Sequence, residues 1–267
     1  MITFCRFSLL APAVLAGSAL LTIAASGGRS QASAPAQKSA ASAKAGPAGS
    51  KSGSAAAFPA NPAAGRGVTW TLTIPATPEK APDAQGFIRR WLLLEPIPVS
   101  SDLTEGVVRT EVHKEYFPSQ LTVFPKDGDK VGVNGQELEW HAVDTKLYNV
   151  NLYHFGWSLN KPTSNVLFWA VTTVNCPQEM HNVRLAIGSN AASVWWVNGQ
   201  ELIGIFGDRQ TVIDDGVSKR ITLNKGPNVV RAAVVNGGGA TDLCARFLDA
   251  NDKPLTGFTV SLTAPSK

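Results

Sequence analysis

Ser193-Val-Trp-Trp-Val197, Asn198-Gly199, Glu201-Leu-Ile-Gly-Ile205 is the stretch that decides the fold class. Two apolar, β-prone runs flank an Asn-Gly pair, and both residues of that pair accept the positive φ of a type I′ turn. Asn-Gly in this setting is the strongest short-range signal for a β-hairpin. Further strand candidates repeat outward at short spacing: residues 68–74, 87–94, 166–174 and 183–187 before it, and 218–223, 228–235, 242–248 and 257–262 after it. They are rich in Val, Ile, Thr, Phe and Trp, which suit a pleated, half-buried surface. Asp215-Gly216, Lys225-Gly226-Pro227, Gly237-Gly238-Gly239 and the run from Asp249 to Pro254 supply turn chemistry between them. Between Leu94 and Val166 the pattern is polar and irregular, and no stretch of ten or more residues carries convincing 3.6 periodicity. Many short strands separated by turns predict an all-β sandwich or barrel.

Composition agrees. The 267 residues are 44% hydrophobic and only 16% charged, with 24 Gly and 17 Pro, which argues against a coiled coil or helical bundle. The formal net charge of +4 points at first to an anionic partner. Its distribution changes that reading to a solvated basic arm, or one weakly attracted to an anionic surface such as the cell envelope. Residues 1–66 hold six of the 24 bases (Arg6, Arg29, Lys38, Lys44, Lys51, Arg66) and none of the 20 acids, so 18 bases face 20 acids in the rest. Six well-spaced charges are not the dense basic run of a nucleic-acid arm, and no nucleic-acid partner is expected.

Arg6 precedes an apolar run over residues 7–25, and Ala24-Ala25-Ser26 offers the small residues of a cleavage site. Residues 1–26 are therefore expected to be a signal peptide. Its removal would leave no transmembrane segment and a protein that is periplasmic, cell-surface or secreted. The same run is long enough to serve as a retained anchor. Residues 27–66 contain 31 Ala, Ser, Gly or Pro among 40 and are expected to form a disordered low-complexity linker. A single domain is expected over 67–267. Cys5 falls in the signal segment, which leaves Cys176 and Cys244; they suit either a disulfide or two buried thiols.

Val183-Arg-Leu-Ala-Ile-Gly-Ser-Asn190, Val194-Trp-Trp-Val-Asn-Gly199, Leu223-Asn-Lys-Gly-Pro-Asn-Val-Val230 and Ala245-Arg-Phe-Leu-Asp249 follow one another in an order that resembles the galactose-binding-domain-like jelly rolls of exported bacterial proteins. Gly188-Ser189, Trp196-Val197-Asn198-Gly199 and Leu223 to Asn228 carry the likeness, and Phe87 to Pro98 resembles the opening strand of that group. The resemblance spans residues 86–264. It implies a jelly-roll β-sandwich that works as a non-catalytic module beside glycoside hydrolases and other surface enzymes. Asn190-Ala191 stand where the group commonly has two aspartates, so any charge those carboxylates give a ligand or cation is missing here. Such modules sometimes carry structural calcium. Asp127-Gly128-Asp129 and Asp214-Asp215 are the densest oxygen ligands available, although both read as turns. No other cofactor is expected.

No catalytic motif is present: there is neither a GxSxG nucleophile elbow nor an HExxH pair. Glu111, His113 and Glu115 alternate and would share one strand face, as a solvated charged face or as a metal or acid/base cluster. Sugar binding calls for aromatic platforms, and the chain has seven Trp. Adjacent Trp195 and Trp196 must point to opposite faces of a strand. The resemblance places Trp196 in the core and leaves Trp195 as the candidate exposed platform, the alternative for it and for Trp157 being that these large rings pack in or over the sandwich. Trp157, in the loop-like stretch Tyr153-His-Phe-Gly-Trp157, is the second candidate, with Asn190, Asp208 and Arg209 as polar partners. The expected function is an exported non-catalytic module that binds carbohydrate or a cell-envelope polymer. The alternatives are a structural or protein-interaction surface module and a polysaccharide-directed hydrolase or esterase.

Overall fold

The structure, a computed structural model, describes residues 65–265. The expected signal segment 1–26, and the expected linker as far as residue 64, lie outside the described residues. In chain order the elements are β1 (Leu72–Thr73), β2 (Glu79–Lys80), β3 (Arg90–Leu94), β4 (Ile97–Pro98), α1 (Glu105–His113), β5 (Lys130–Val133), β6 (Gln136–Thr145), β7 (Val150–Asn151) and α2 (Leu152–Ser158). There follow β8 (Val166–Cys176), β9 (Met180–Asn190), β10 (Ala192–Val197), β11 (Gln200–Ile205), β12 (Gly216–Val217), β13 (Ile221–Leu223), β14 (Gly226–Asn236), β15 (Asp242–Leu248) and β16 (Thr259–Ser261).

These strands form two sheets. The larger has the order β1-β6-β3-β8-β14-β10-β11, and the smaller β12-β9-β15-β7 with β13 also on β9. One edge of β8 pairs with β14 without interruption from Gly226↔Cys176 to Asn236↔Val166. Its other edge receives three short strands in turn: β16 at Thr173 to Asn175, β3 at Ala170 and Val171, and β4 at Val166 and Leu167. The two sheets face each other across one core. Trp91, Phe168, Ala170, Trp195 and Val230 of the larger sheet meet Leu185, Ile187, Leu243, Ala245 and Phe247 of the smaller. The all-β sandwich expected from the strand pattern is what the chain forms.

The larger sheet has a second apolar face, formed by Leu167, Trp169, Val171, Val194, Trp196 and Ala233. Helix α1 and the segment after it cover this face through Val108, Val112 and Phe117. Val108 and Val112 stand one turn apart, which gives the helix its inward stripe. The alternating strand face expected for Glu111, His113 and Glu115 is thereby corrected, because at 100° per residue helical neighbours two apart diverge. Glu111 accepts from the Tyr116 hydroxyl, His113 Nε2 lies 3.0 Å from Glu201, and Glu115 accepts from the Ser119 amide. The middle of the chain is also less irregular than its sequence suggests. β5 and β6 form a hairpin turned by Asn134-Gly135, with φ of 50° and 78°, the counterpart of Asn198-Gly199 at 51° and 79°.

The motifs behind the resemblance have local physical reasons. Asn228 is fully buried, and its Oδ1 accepts from Asn198 Nδ2 (2.8 Å) and the Asn224 amide (2.9 Å). Its Nδ2 donates to the carbonyls of Asn224 (2.8 Å) and Gly226 (3.1 Å), so one side chain ties the β10–β11 turn to the turn before β14. Cys176 and Cys244 are free thiols, one in each sheet. Burial pushes Cys176 up to about 11; burial, then the charges of Asp242 and Asp214, push Cys244 up to about 12.

A buried ion pair closes the β3–β6 edge. Arg90 Nε and Nη2 donate to Asp144 Oδ1 and Oδ2 at 2.8 and 3.0 Å, and Lys80 Nζ adds a contact of 3.2 Å to Oδ2. Burial pulls the Asp144 pKa up, but Arg90 and Lys80 outweigh it and hold the carboxyl below its ordinary 3.8. The pair's contribution is therefore present above pH 3.8 and is lost as pH falls through the depressed value. Arg90→Ala leaves Asp144 with Lys80 alone and is expected to cost about 3–5 kcal/mol at neutral pH in urea unfolding. That deficit should shrink as the pH is lowered through Asp144's titration.

Candidate functional site

Trp195 is 0% exposed. Its Nε1 donates to Ser193 Oγ (2.8 Å) and its ring meets Trp91 edge-on at 6.1 Å in the inter-sheet core. The expectation that Trp195 is an exposed platform is corrected. Trp195 and Trp196 do face opposite ways, but both faces of this sheet are covered, so the second face is another core. There Trp196 lies 5.7 Å from Trp169 and 6.0 Å from His113.

Trp157 is 51% exposed, and its stretch is helical rather than a loop. The Asn151 side chain caps α2 by accepting from the His154 amide (2.7 Å), and the Thr241 carbonyl accepts from the amides of Leu152 and Tyr153 (3.0 Å each). With its first amides satisfied, a seven-residue helix holds its place. Leu152, Phe155 and Gly156 turn inward. Helical spacing then sends Tyr153 and Trp157, one turn apart, outward together. At the far end Lys161 donates its amide to the Gly156 carbonyl (3.0 Å) and its Nζ contacts Glu95 (2.9 Å).

A second segment completes the surface. Thr69 Oγ1 accepts from the amides of Thr71 (3.2 Å) and Leu72 (3.1 Å), a turn that buries Leu72 and leaves Trp70 63% exposed. Gly67, at φ +67°, lies against Phe155 of α2; a Cβ there would sit 2.5 Å from the ring. This close approach brings Trp70 onto His154, with ring centroids 4.1 Å apart, and His154 meets Tyr153 at 5.9 Å. Trp70, His154 and Tyr153 thus form a continuous ridge, with Trp157 one helical turn farther along. Burial pushes His154 below the ordinary imidazole value of 6.5, so it is neutral at pH 7. The sequence singles out Trp157 but not Trp70, Tyr153 or His154, which the structure sets near it. The i,i+4 spacing of Tyr153 and Trp157 was the available signal.

The expected polar partners stand at the end of β9 and on segment 206–215. Asn190, joined to Ala191 by a cis peptide bond, ends β9, and its carbonyl accepts from Thr241 Oγ1 (2.5 Å). It pairs in register with Asp242, whose carboxylate accepts from Asn149 Nδ2 (2.6 Å) and Thr211 Oγ1. Asp208 is exposed on segment 206–215, and Arg209 is engaged by Asp215 and by the Phe206 carbonyl (3.3 Å). That segment lies directly on β9: a Cβ at Gly188 would be 2.1 Å from the Val212 carbonyl oxygen. Thr241 connects Asn190 to the first turn of α2, whereas Trp157 stands on its last.

The carboxylates considered for calcium have other partners. Asp127 accepts from the Ala142 amide (2.7 Å) and Arg66 (3.2 Å), Asp129 from the Lys126 amide (2.7 Å), and Asp214 and Asp215 pair with Arg246 and Arg209. Among the described residues no group of three or more His, Cys, Asp or Glu is arranged to hold a metal. A hydroxyl–imidazole–carboxylate series does occur: Thr222 Oγ1 lies 3.2 Å from His181 Nδ1, and Glu179 3.0 Å from Nε2. His181 is 65% exposed on an open strand surface, without the desolvated cleft that catalysis of this kind uses. A shallow depression of about 350 Å³, lined by Asn175, Cys176, Pro177, Thr256, Phe258 and Thr259, includes none of the three. Among the described residues no helix is long and apolar enough to cross a membrane.

No family model matches the chain, and no curated protein matches it. Among solved structures it is similar to a PA14 sugar-binding domain from an RTX adhesin, at 11% identity and a TM-score of 0.38, covering 64% of this chain and 96% of that one. It is similar to the PA14 domain of the MpAFP antifreeze protein at 9% identity and a TM-score of 0.37, covering 73% and 100%. A β-glucosidase from Kluyveromyces marxianus matches at 19% identity and a TM-score of 0.30, over 60% of this chain and 16% of that one. Scores this low assign neither a family nor a ligand; the sandwich rests on the two sheets themselves.

Two consequences of the site's construction are measurable. Trp195→Ala is expected to cost about 3–5 kcal/mol in urea unfolding, and Trp157→Ala about 1 kcal/mol or less. The neutral preference of His154 contributes stability that is full above pH 6.5 and is lost as pH falls below it toward the depressed value. An NMR titration should place the His154 midpoint below 6.5, and Trp70→Ala, by uncovering the ring, should move it upward.

Proposed function

We propose that the protein is an exported, non-catalytic carbohydrate-binding module whose platform is the ridge of Trp70, His154, Tyr153 and Trp157. The single observation that supports this reading is the exposure of that ridge: large aromatics this solvent-accessible are costly to leave uncovered without a use. The apolar C–H face of a sugar ring packs on an aromatic face, and the indole N–H and phenol O–H groups supply polar handles at its rim. A row of exposed rings suits an extended polysaccharide better than a single terminal sugar. The apolar run and small-residue site of residues 1–26 support export, and the composition of residues 27–66 supports a tether that holds the module away from its point of attachment.

A protein-interaction role would use the same exposed Trp and Tyr, because both are enriched at protein interfaces. The two readings part on ligand chemistry. Binding to a panel of soluble glycans and insoluble polysaccharides, peptidoglycan included, is expected for the native protein. Trp70→Ala and Trp157→Ala should each weaken it roughly tenfold, about 1.4 kcal/mol. Folded protein that binds no glycan, or binding that survives both substitutions together, would overturn the assignment of the platform.

A further inference from the structure

Arg231 lies on β14 and is 3% exposed on the covered outer face of the larger sheet, in alternation with Ala233 and Val235. Its cross-strand partners are Trp196 on β10 and Val171 on β8, and Trp169 stands diagonally beside it, opposite Ala233. One end of the guanidinium is used: Nη2 donates to the Val123 carbonyl, in the segment that closes over this face. The other end is not. Nη1 is buried and meets no acceptor among the described residues, and the same is true of the neighbouring Trp169 Nε1–H.

Among the described residues the charge is equally uncompensated. Glu201 on β11, one strand beyond β10, is engaged by Arg109 and His113, and Glu111 on α1 by Tyr116. Burial alone pushes Arg231 down to about 10, with no carboxylate opposing it, so the group stays charged at neutral pH. A buried charge without a counter-charge is strongly disfavoured. A water would accept hydrogen bonds here but would bring no charge. An alcohol or amide would add donors where donors are already in excess. A sulfate or phosphate would bring more oxygens and charge than two N–H groups and one guanidinium can match.

We propose that Arg231 Nη1 and Trp169 Nε1 form a buried site for a small monovalent anion, a halide of chloride size, closed over by segment 119–124. The anion completes the outer core and fixes that segment to the sheet through Arg231.

Thermal unfolding of the protein at matched ionic strength, with sodium gluconate replaced stepwise by sodium chloride or bromide, tests this directly. The Tm should rise saturably, by about 3–10 °C at roughly 10–100 times the Kd, and Arg231→Met should abolish the rise. Equal Tm values in gluconate and halide, or a rise undiminished in Arg231→Met, would overturn the proposal. Should Arg231→Met fail to fold, native crystals grown in bromide decide the matter. An anomalous peak within hydrogen-bond reach of both Arg231 Nη1 and Trp169 Nε1 supports the site; a water at that position without anomalous signal refutes it.

Discussion

β8 and β14 pair over their whole lengths, and nearly every residue of both is buried on whichever face it points to. A strand pair covered on both sides sends alternate side chains into two separate cores. The other main features follow. The inner face requires the smaller sheet, whose Leu185, Ile187 and Phe247 fill the space opposite Phe168 and Ala170. The outer face requires a lid, and α1 with the segment behind it supplies one through Val108, Val112 and Phe117. Three short strands pair along most of the other edge of β8, where a buried strand cannot leave its backbone groups unpaired.

The same constraint explains the polar residues in these cores. Asn228 spends its amide group on two turns, and Arg90 and Asp144 satisfy each other at the β3–β6 edge. Arg231 departs from that pattern, a charge carried inward by strand alternation and held at one end only. Where a buried polar group has its partners, it fixes register; where it lacks one, it marks a place at which a ligand would do the same work.

The strands from residue 166 onward were legible because their apolar runs are long and their turns carry Asn-Gly, Gly-Pro or Gly-Gly-Gly. β6 was not. Its sequence, Gln-Glu-Leu-Glu-Trp-His-Ala-Val-Asp-Thr, alternates, but Glu139, His141 and Asp144 interrupt the apolar pattern. Asp144 is tolerated through a partner distant in the chain, Arg90, 54 residues away, and Lys130 across the hairpin pairs with Glu137 on the exposed start of the strand. Helices α1 and α2 escaped notice because nine and seven residues are too few for a 3.6-residue period to stand out.

The residues of the aromatic ridge come from two places more than eighty positions apart. Trp157 could be singled out from its neighbours, whereas Trp70 joins the ridge only because Gly67 lets its segment lie on Phe155. Trp195 shows the converse. Adjacency in a strand required it and Trp196 to face opposite ways, and that deduction was sound. Whether an outward face meets water or a second core is a property of what packs there. Hydrophobic period and turn chemistry are local, so the sequence by itself determined the all-β class, most of the strands and the alternation of their side chains. Burial is collective, so only the tertiary structure decided which tryptophans are exposed, which charges are paired and where a ligand can reach them.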